Sequence, residues 1–232
     1  MNEAAGVVHQ RPMTDPYSAI EAQTGFRVPE LFRRLVADGR TQYGATREEW
    51  KQTWKQRMLA DPPALMLVSS QVEWWTLEAI AEWEPPDYWS AEHRFVPFAQ
   101  NGAGDVWCWH VSSPDAEIVF APHDENEAEV VAPDLAAFLF RQLVGGLSEI
   151  YTDDGTDFSI EQRVASAKAN VRTLAPYLPA AQVALLEQLC ERPLVEDPSW
   201  GCLRFLPRAE ADAIIEREIG YPRLGHTFEH MS

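Results

Sequence analysis

The sequence has few cysteines, few basic residues and no long apolar run. Its three cysteines, Cys108, Cys190 and Cys202, are too few and too scattered for a disulfide framework. None of them forms the C-x-x-C spacing of a metal site. No stretch of about 20 apolar residues predicts a membrane span, and the first residues lack the apolar segment of a signal peptide. Together these absences predict a cytoplasmic protein in a reducing compartment.

Recognisable catalytic signatures are also missing. The patterns G-x-S-x-G, H-E-x-x-H and the P-loop do not occur. The glycines of segment 102–105 have a superficial likeness to a phosphate loop, but flanking strands favour a hairpin turn. His110, His123 and Asp124 match no metal-ligand spacing, so we predict no metal and no cofactor. A pocket that held both histidines with a carboxylate would favour an enzyme, and their separation would exclude that site.

Acidic residues dominate the charge, and their distribution is uneven. The chain has 36 acidic and 19 basic residues and a net charge of -17. Residues 101–160 contain 12 acidic residues and one basic residue, Arg141. Such a field repels nucleic acid and attracts basic partners. It is either a solvated surface that maintains solubility or a face complementary to a basic protein.

Two tryptophans follow one face of a predicted strand. Alternation places Trp107 and Trp109 on one side and Cys108 on the other, which we expect to face the core. The tryptophan face is either concave and accessible to a ligand, or covered by helices from the C-terminal part of the chain. We favour the covered arrangement, because two exposed tryptophans are costly without a partner.

The pattern of apolar residues predicts alternating helices and short strands. Helices are expected over 17–24, 29–39, 46–60, 77–83, 133–144, 159–174, 179–192 and 207–219, with Gly145 and Gly146 ending the fifth. Strands are expected over 65–68, 72–75, 95–98, 106–111, 118–120 and 129–131, with an extended segment over 200–206. Residues 193–198 are expected to interrupt regular secondary structure between two helices.

Five segments in a specific order resemble a known family of binding domains. They read EAQTGFRVPELFRRLVADG (21–39), VEWWTLEAIAEW (72–83), FVPFAQNGAGDVWCWHV (95–111), EIVFAPHDENEAEVVAP (117–133) and DLAAFLFRQL (134–143). This set resembles the SUKH superfamily, in its Smi/Knr-like branch. The resemblance implies an α+β fold with a bent antiparallel sheet flanked by helices. It departs from the family at His110, where an Asp is common, and in a longer 40–64 connection.

The resemblance also implies a function. Bacterial members are mostly immunity proteins that bind and neutralise toxins, and fungal members are regulatory interaction modules. We therefore predict a non-enzymatic immunity protein whose partner is a basic toxin domain, with no nucleic acid and no membrane involved. The alternative is a regulatory or scaffold module without a toxin partner. The expected contacts are Asp124, Glu125, Glu127 and Glu129, with Trp107 or Trp109 as an aromatic anchor.

The predicted organisation has three parts. Residues 1–16 are expected to be flexible, 17–150 to form the SUKH domain, and 151–232 to form a mainly helical extension. The polar segment 153–157 marks the boundary between the last two parts. The helices of the extension need a surface to cover their apolar faces, because short isolated helices are marginal in water. Packing against the first domain is the simplest answer, and a dimer contact is the other.

Overall fold

The structure, a computed structural model, describes residue 15 and residues 17–67, 72–152 and 156–232. The predicted flexible segment 1–16 lies outside the described residues except for Asp15. Residues 153–155 at the predicted boundary, and residue 68 of a predicted strand, also lie outside them.

Four helices come from the first 82 residues. They are α1 (Ser18–Thr24), α2 (Glu30–Ala37), α3 (Arg47–Ala60) and α4 (Leu77–Glu82). Local chemistry sets their ends: Gly25 adopts the left-handed φ of 65° that ends α1. Thr46 and Thr76 cap α3 and α4, since each hydroxyl accepts a hydrogen bond from a backbone N–H in the first turn. These helices agree with the sequence prediction.

Six antiparallel strands form the main sheet. In chain order they are β1 (Glu73–Trp74), β2 (Phe95–Gln100), β3 (Val106–His110), β4 (Ile118–Ala121), β5 (Glu127–Ala132) and β9 (Thr227–Glu229), and this is also their spatial order. Register shifts occur between Pro97 and Ala99 in β2, and between Ile118 and Val119 in β4. Such irregularities bend a strand and increase its twist. The predicted α+β class is confirmed.

The helix α5 (Leu135–Ser148) lies on this sheet and is longer than predicted. It passes through Gly145 and Gly146, which were expected to end it. The reason is packing, because a Cβ built on Gly146 would lie 2.5 Å from Leu67 Cδ1. Glycine at this position allows a close approach and does not mark a helix end.

The C-terminal part adds three helices and a second, three-stranded sheet. The helices are α6 (Ile160–Leu174), α7 (Ala180–Cys190) and α8 (Arg208–Ile219), and the strands are β6 (Ile150–Tyr151), β7 (Val195–Asp197) and β8 (Cys202–Arg204) in the order β6-β8-β7. The predicted capping box at Ser159 and Gln162 begins α6. Helices α6, α7 and α8 all contact α5, and their buried side chains belong to the same apolar cluster.

Two further local predictions were wrong, and one strand was not predicted. The described part of segment 65–68 is not a regular strand, since Leu65 has a φ of 56° within a turn. The expected break at 193–198 contains β7, which pairs with β8. Strand β9 was not predicted, although it completes the main sheet by pairing with β5.

Both faces of the main sheet are covered. Trp107 and Trp109 face the large core, where Trp109 packs on Phe98 at 4.6 Å and Phe32 at 5.2 Å between ring centroids. Their cover comes from α2 and α5, whereas the sequence favoured helices of the C-terminal part. Cys108 lies on the opposite face in a second cluster and is fully buried, as expected. Phe228 of β9 packs against this second cluster.

Candidate functional site

The turn between β4 and β5 is exposed and acidic. The two strands pair in an antiparallel hairpin, and residues 122–126 connect them. Asp124, Glu125 and Glu127 are all exposed in this hairpin. We call these three carboxylates, with Glu229 of β9, the acidic edge.

Asp105 holds the turn in place from the neighbouring β2–β3 hairpin. Its Oδ1 accepts hydrogen bonds from the His123 backbone N–H at 3.1 Å and lies 2.7 Å from His123 Nδ1. Its Oδ2 accepts from Asn101 Nδ2 at 2.8 Å. Asn101 in turn caps the tight turn of its own hairpin through Oδ1. The two hairpin turns are therefore fixed to each other, which orders the start of the acidic edge.

The pair formed by Asp105 and His123 favours its charged form. The hydrogen bond to Asp105 raises the pKa of His123, and the nearby charge of Asp124 acts in the same direction. Partial burial opposes ionisation of Asp105, but hydrogen bonds from Asn101 and His123 outweigh it and lower its pKa. His123 is half exposed, with 51% of its side chain accessible, so this attraction is screened by water.

The acidic edge includes a repulsive pair across two strands. Glu127 of β5 lies directly opposite Glu229 of β9 in the antiparallel register, and both residues are exposed. Like charges that face each other on adjacent strands destabilise a sheet. Sequence reasoning did not find Glu229, because it depends on a strand of three residues about 100 positions from its partner.

Glu129, also expected as a contact, is already neutralised within the chain. Its Oε1 lies 2.8 Å from Arg141 Nη2, and Arg141 also donates to the Val131 carbonyl at 3.1 Å. Arg141 was the one basic residue in the acidic segment, and the fold places it against this carboxylate. Glu129 therefore contributes less to the external field than its neighbours do.

The tryptophans do not form part of an exposed site. Trp107 is 8% exposed and Trp109 is 2% exposed. Trp107 packs on Phe120 and Phe138, with centroid distances of 5.4 and 5.8 Å. These rings stabilise the core, and their burial contradicts the expectation that one of them anchors a partner.

His110 belongs to a separate, buried polar cluster. Its Nδ1 lies 3.5 Å from Glu117 Oε1, and its Nε2 lies 3.2 Å from His93 Nδ1. Glu117 is fully buried and also interacts with the C-terminal part: the Tyr221 hydroxyl donates to Oε2 at 2.8 Å, and Arg223 Nη2 lies 3.1 Å from Oε1. These contacts hold the segment that leads into β9. We call these five residues the buried cluster.

The two histidines considered for an enzymatic site are at opposite ends of β3. His123 contacts Asp105 before the strand, whereas His110 is its last residue. At about 3.3 Å per residue, this separation is roughly 16 Å. The catalytic pocket that would have combined them is therefore excluded.

A cation could be held by Asp105, His123 and Asp124. One ligand atom from each lies within 4.8 Å of the others, which is the one such group of three among the described residues. Two of them are exposed, and Asp105 is already engaged by Asn101 and His123. Their hydrogen bonds account for the arrangement as a support for the turn.

The architecture and the site define a class of protein. It is an α+β domain with a bent antiparallel sheet, whose apolar faces are covered and whose charged edge is exposed. The SMI1 / KNR4 family (SUKH-1) matches residues 17–141, more than half of the chain, and the chain belongs to this family. Proteins of the family commonly bind partner proteins. No curated protein and no solved structure matches the chain. Within the described residues, no helix is both long enough and apolar enough to span a membrane.

Proposed function

We propose that this protein is a cytoplasmic immunity protein that binds a basic bacterial toxin without catalysis and so neutralises it. The observation that carries the proposal is the acidic edge, with Glu127 opposite Glu229. A like-charge pair costs stability in the free protein. A cationic partner that approaches both carboxylates removes the repulsion, so part of the cost becomes binding energy.

Electrostatics supply the mechanism by which such an edge works. Three exposed carboxylates on one hairpin, in a chain of net charge -17, accelerate the encounter with a basic protein. Asp105 and Asn101 fix the turn before binding, which reduces the entropy lost on association. The bound protein then blocks or distorts the active site of the toxin.

The test is co-expression with the toxins encoded beside the gene. The wild-type chain is expected to restore growth, and the triple variant Asp124→Lys, Glu125→Lys, Glu127→Lys is expected to fail. Its affinity for the purified toxin should fall roughly a hundredfold, from about 1 kcal/mol per charge. The matched control reverses three exposed carboxylates elsewhere, Glu48, Glu78 and Glu187, and should keep protection.

Two results would contradict the proposal. One is that no neighbouring toxin is neutralised or bound by the purified protein. The other is that both triple variants lose affinity equally, because the effect would then come from net charge and not from the acidic edge. A salt titration adds a third readout, since the affinity of the wild type should decrease more steeply with salt than that of the edge variant.

A regulatory or scaffold role is the second candidate. It is favoured by the size of the C-terminal part, which adds a second sheet and β9 beyond the matched residues. A minimal inhibitor would not need this extension. Recovery of host proteins, and of no toxin, in a pull-down with the full chain would select this role.

A further inference from the structure

Helix α3 packs against α6 but buries few of its side chains completely. Of its 14 residues only Met58 is buried in the described chain. Trp50 and Trp54 are partly buried and belong to a small cluster apart from the main core. Trp54 packs on Phe158 at 5.2 Å between ring centroids. This aromatic helix face is only partly covered within the chain, and the apolar surface that stays exposed can bind a partner.

A groove of about 840 Å³ lies against this face. Its lining includes Tyr43, Trp50 and Trp54, together with Trp75, which follows β1. This volume is within the range of protein binding pockets, roughly 300–1,000 Å³, and accommodates several large side chains. We call it the aromatic groove.

Two basic residues and one acidic residue, Glu73, line the aromatic groove. Arg47 and Lys51 line it, and both are exposed on α3. Lys51 is 3.4 Å from Glu48, an exposed contact within the same helix that water screens. Because the rest of the chain is strongly acidic, this lining is a local exception. The groove therefore suits a ligand that combines a large apolar side chain with a carboxylate.

The same chain exposes an element of that chemistry. The β7–β8 hairpin and the residue before it, segment 194–200, contain three of the five exposed large apolar side chains among the described residues. Trp200 is 65% exposed, Val195 is 58% exposed, and the exposed carboxylate of Glu196 follows Val195. Exposed tryptophans on ordered turns are frequent anchors of protein interfaces.

The hairpin is ordered by its own contacts. The Trp200 backbone N–H donates to the Asp197 carbonyl at 3.2 Å, and Asp197 also forms an ion pair with Arg204 of β8. Trp200 is therefore presented at a fixed position without further loss of chain entropy on binding.

Hairpin and groove are connected through one buried side chain. Arg163 donates to the Tyr151 carbonyl at 3.2 Å and to the Phe158 carbonyl at 3.1 Å. Tyr151 pairs with Cys202 of the hairpin, and Phe158 lines the groove. The hairpin, as the donor, and the groove, as the acceptor, are thus joined within the chain through one ordered side chain. Two copies related by a twofold axis can exchange them reciprocally, which closes the assembly at a dimer.

We propose that the protein forms a reciprocal homodimer in which segment 194–200 of each copy docks in the aromatic groove of the other. Trp200 and Val195 fill the groove, and Glu196 meets Lys51 at its rim. The contact covers both the exposed hairpin and the part of the aromatic face of α3 that is exposed in one copy. It leaves the acidic edge free, so dimerisation and partner binding are separable.

The test is sedimentation velocity of the full chain over about 1–500 µM, the range in which an interface of small area associates. The 26.3 kDa chain is expected to shift to twice that mass with increasing concentration. Trp200→Ala should weaken association about tenfold or more. The matched control is Tyr88→Ala, which truncates another exposed aromatic, 49% accessible, and should associate as the wild type does.

A charge exchange tests the position of the hairpin in the aromatic groove and leaves the apolar side chains of both unchanged. Lys51→Glu and Glu196→Lys should each weaken association several-fold, and the double variant should recover it, since the ion pair is then reversed. A chain that stays monomeric at the highest concentration overturns the proposal. So does a Trp200→Ala variant with wild-type association, or a double variant no stronger than either single one.

Discussion

The β3–β4 ladder has a histidine beside a carboxylate at each end, and the two pairs behave oppositely. At the acidic edge, His123 is 2.7 Å from Asp105, and the pKa of His123 is raised. In the buried cluster, burial and then the charge of His93 lower the pKa of His110, although Glu117 is 3.5 Å away. The same residue types therefore have different roles, and water access decides which.

This difference matches what each end does. Ionisation of the exposed pair costs little free energy, and the pair orders a turn that presents carboxylates to a partner. The buried cluster is more costly to disturb, because its Glu117 carboxylate is fully buried and has no water to replace a lost contact. It fixes the C-terminal segment and, through β9, places Glu229 at the acidic edge.

The largest expected effect comes from the buried carboxylate. Glu117→Ala should lower the free energy of unfolding by about 2–3 kcal/mol, because it removes the buried carboxylate to which Tyr221 donates and which His110 and the partly exposed Arg223 contact. Urea unfolding measures it. The matched control is Asp115→Ala, an exposed carboxylate two residues away, for which a change within about 0.5 kcal/mol is expected. Equal losses of unfolding free energy in both variants would contradict the idea that the buried end of the β3–β4 ladder is the more costly one to disturb.

The pH dependence of stability distinguishes the two histidines. The pKa of His110 is lowered in the folded protein, so folding favours its neutral form. The resulting contribution to the free energy of unfolding is complete above the unfolded pKa of about 6.5 and is lost as pH falls below that value. His110 faces His93, Glu117 and Arg223, and burial likewise lowers the pKa of His230. Unfolding free energy should therefore decrease from pH 7.5 towards about 5.5. His110→Gln should make this decrease shallower.

The exposed pair has the opposite sign. The raised pKa of His123 stabilises the folded state below about 6.5, and this contribution is lost as pH rises through the folded value. His123→Gln should therefore leave the loss of stability on acidification unchanged or slightly steeper. The assignment of the two histidines would be wrong if the free energy of unfolding decreased less steeply on acidification in His123→Gln than in the wild type. It would also be wrong if His110→Gln left this decrease unchanged.

The smallest expected effect concerns the support of the acidic edge. Asp105→Asn keeps the side-chain shape but removes the charge that His123 and Asn101 contact. The expected cost is about 1 kcal/mol in unfolding free energy, with faster hydrogen exchange confined to residues 122–126. Ser113→Ala, in the opposite turn, controls for a general loosening of hairpins. Unchanged exchange in the β4–β5 turn would show that Asp105 does not order it.

Local signals in the sequence were enough for much of the fold. The Asn101–Asp105 turn between two strongly apolar runs predicted the β2–β3 hairpin, and the capping box at Ser159 predicted the start of α6. Each of these depends on neighbours within a few residues. Gly146 shows where prediction from local sequence fails, because its structural role depends on a close approach to Leu67, which is distant in the chain.

The candidate site was only partly predictable, for the same reason. Composition identified the acidic segment that contains Asp124, Glu125 and Glu127. It could not show that Arg141 neutralises Glu129 or that Trp109 is buried while Trp200 is exposed. Hydrophobicity alone does not distinguish these two tryptophans, since burial depends on which elements pack above each one.

The sequence by itself determined the class of fold, most helix and strand positions, the family and the sign of the charge. Those properties follow from composition and from patterns of 2 and 3.6 residues that act locally. Only the tertiary structure decided that β9 pairs with β5, that Glu127 faces Glu229, and that Glu117 is buried beside Arg223. Contacts between residues about 100 positions apart are set by how helices and sheet pack together, and no local pattern encodes them.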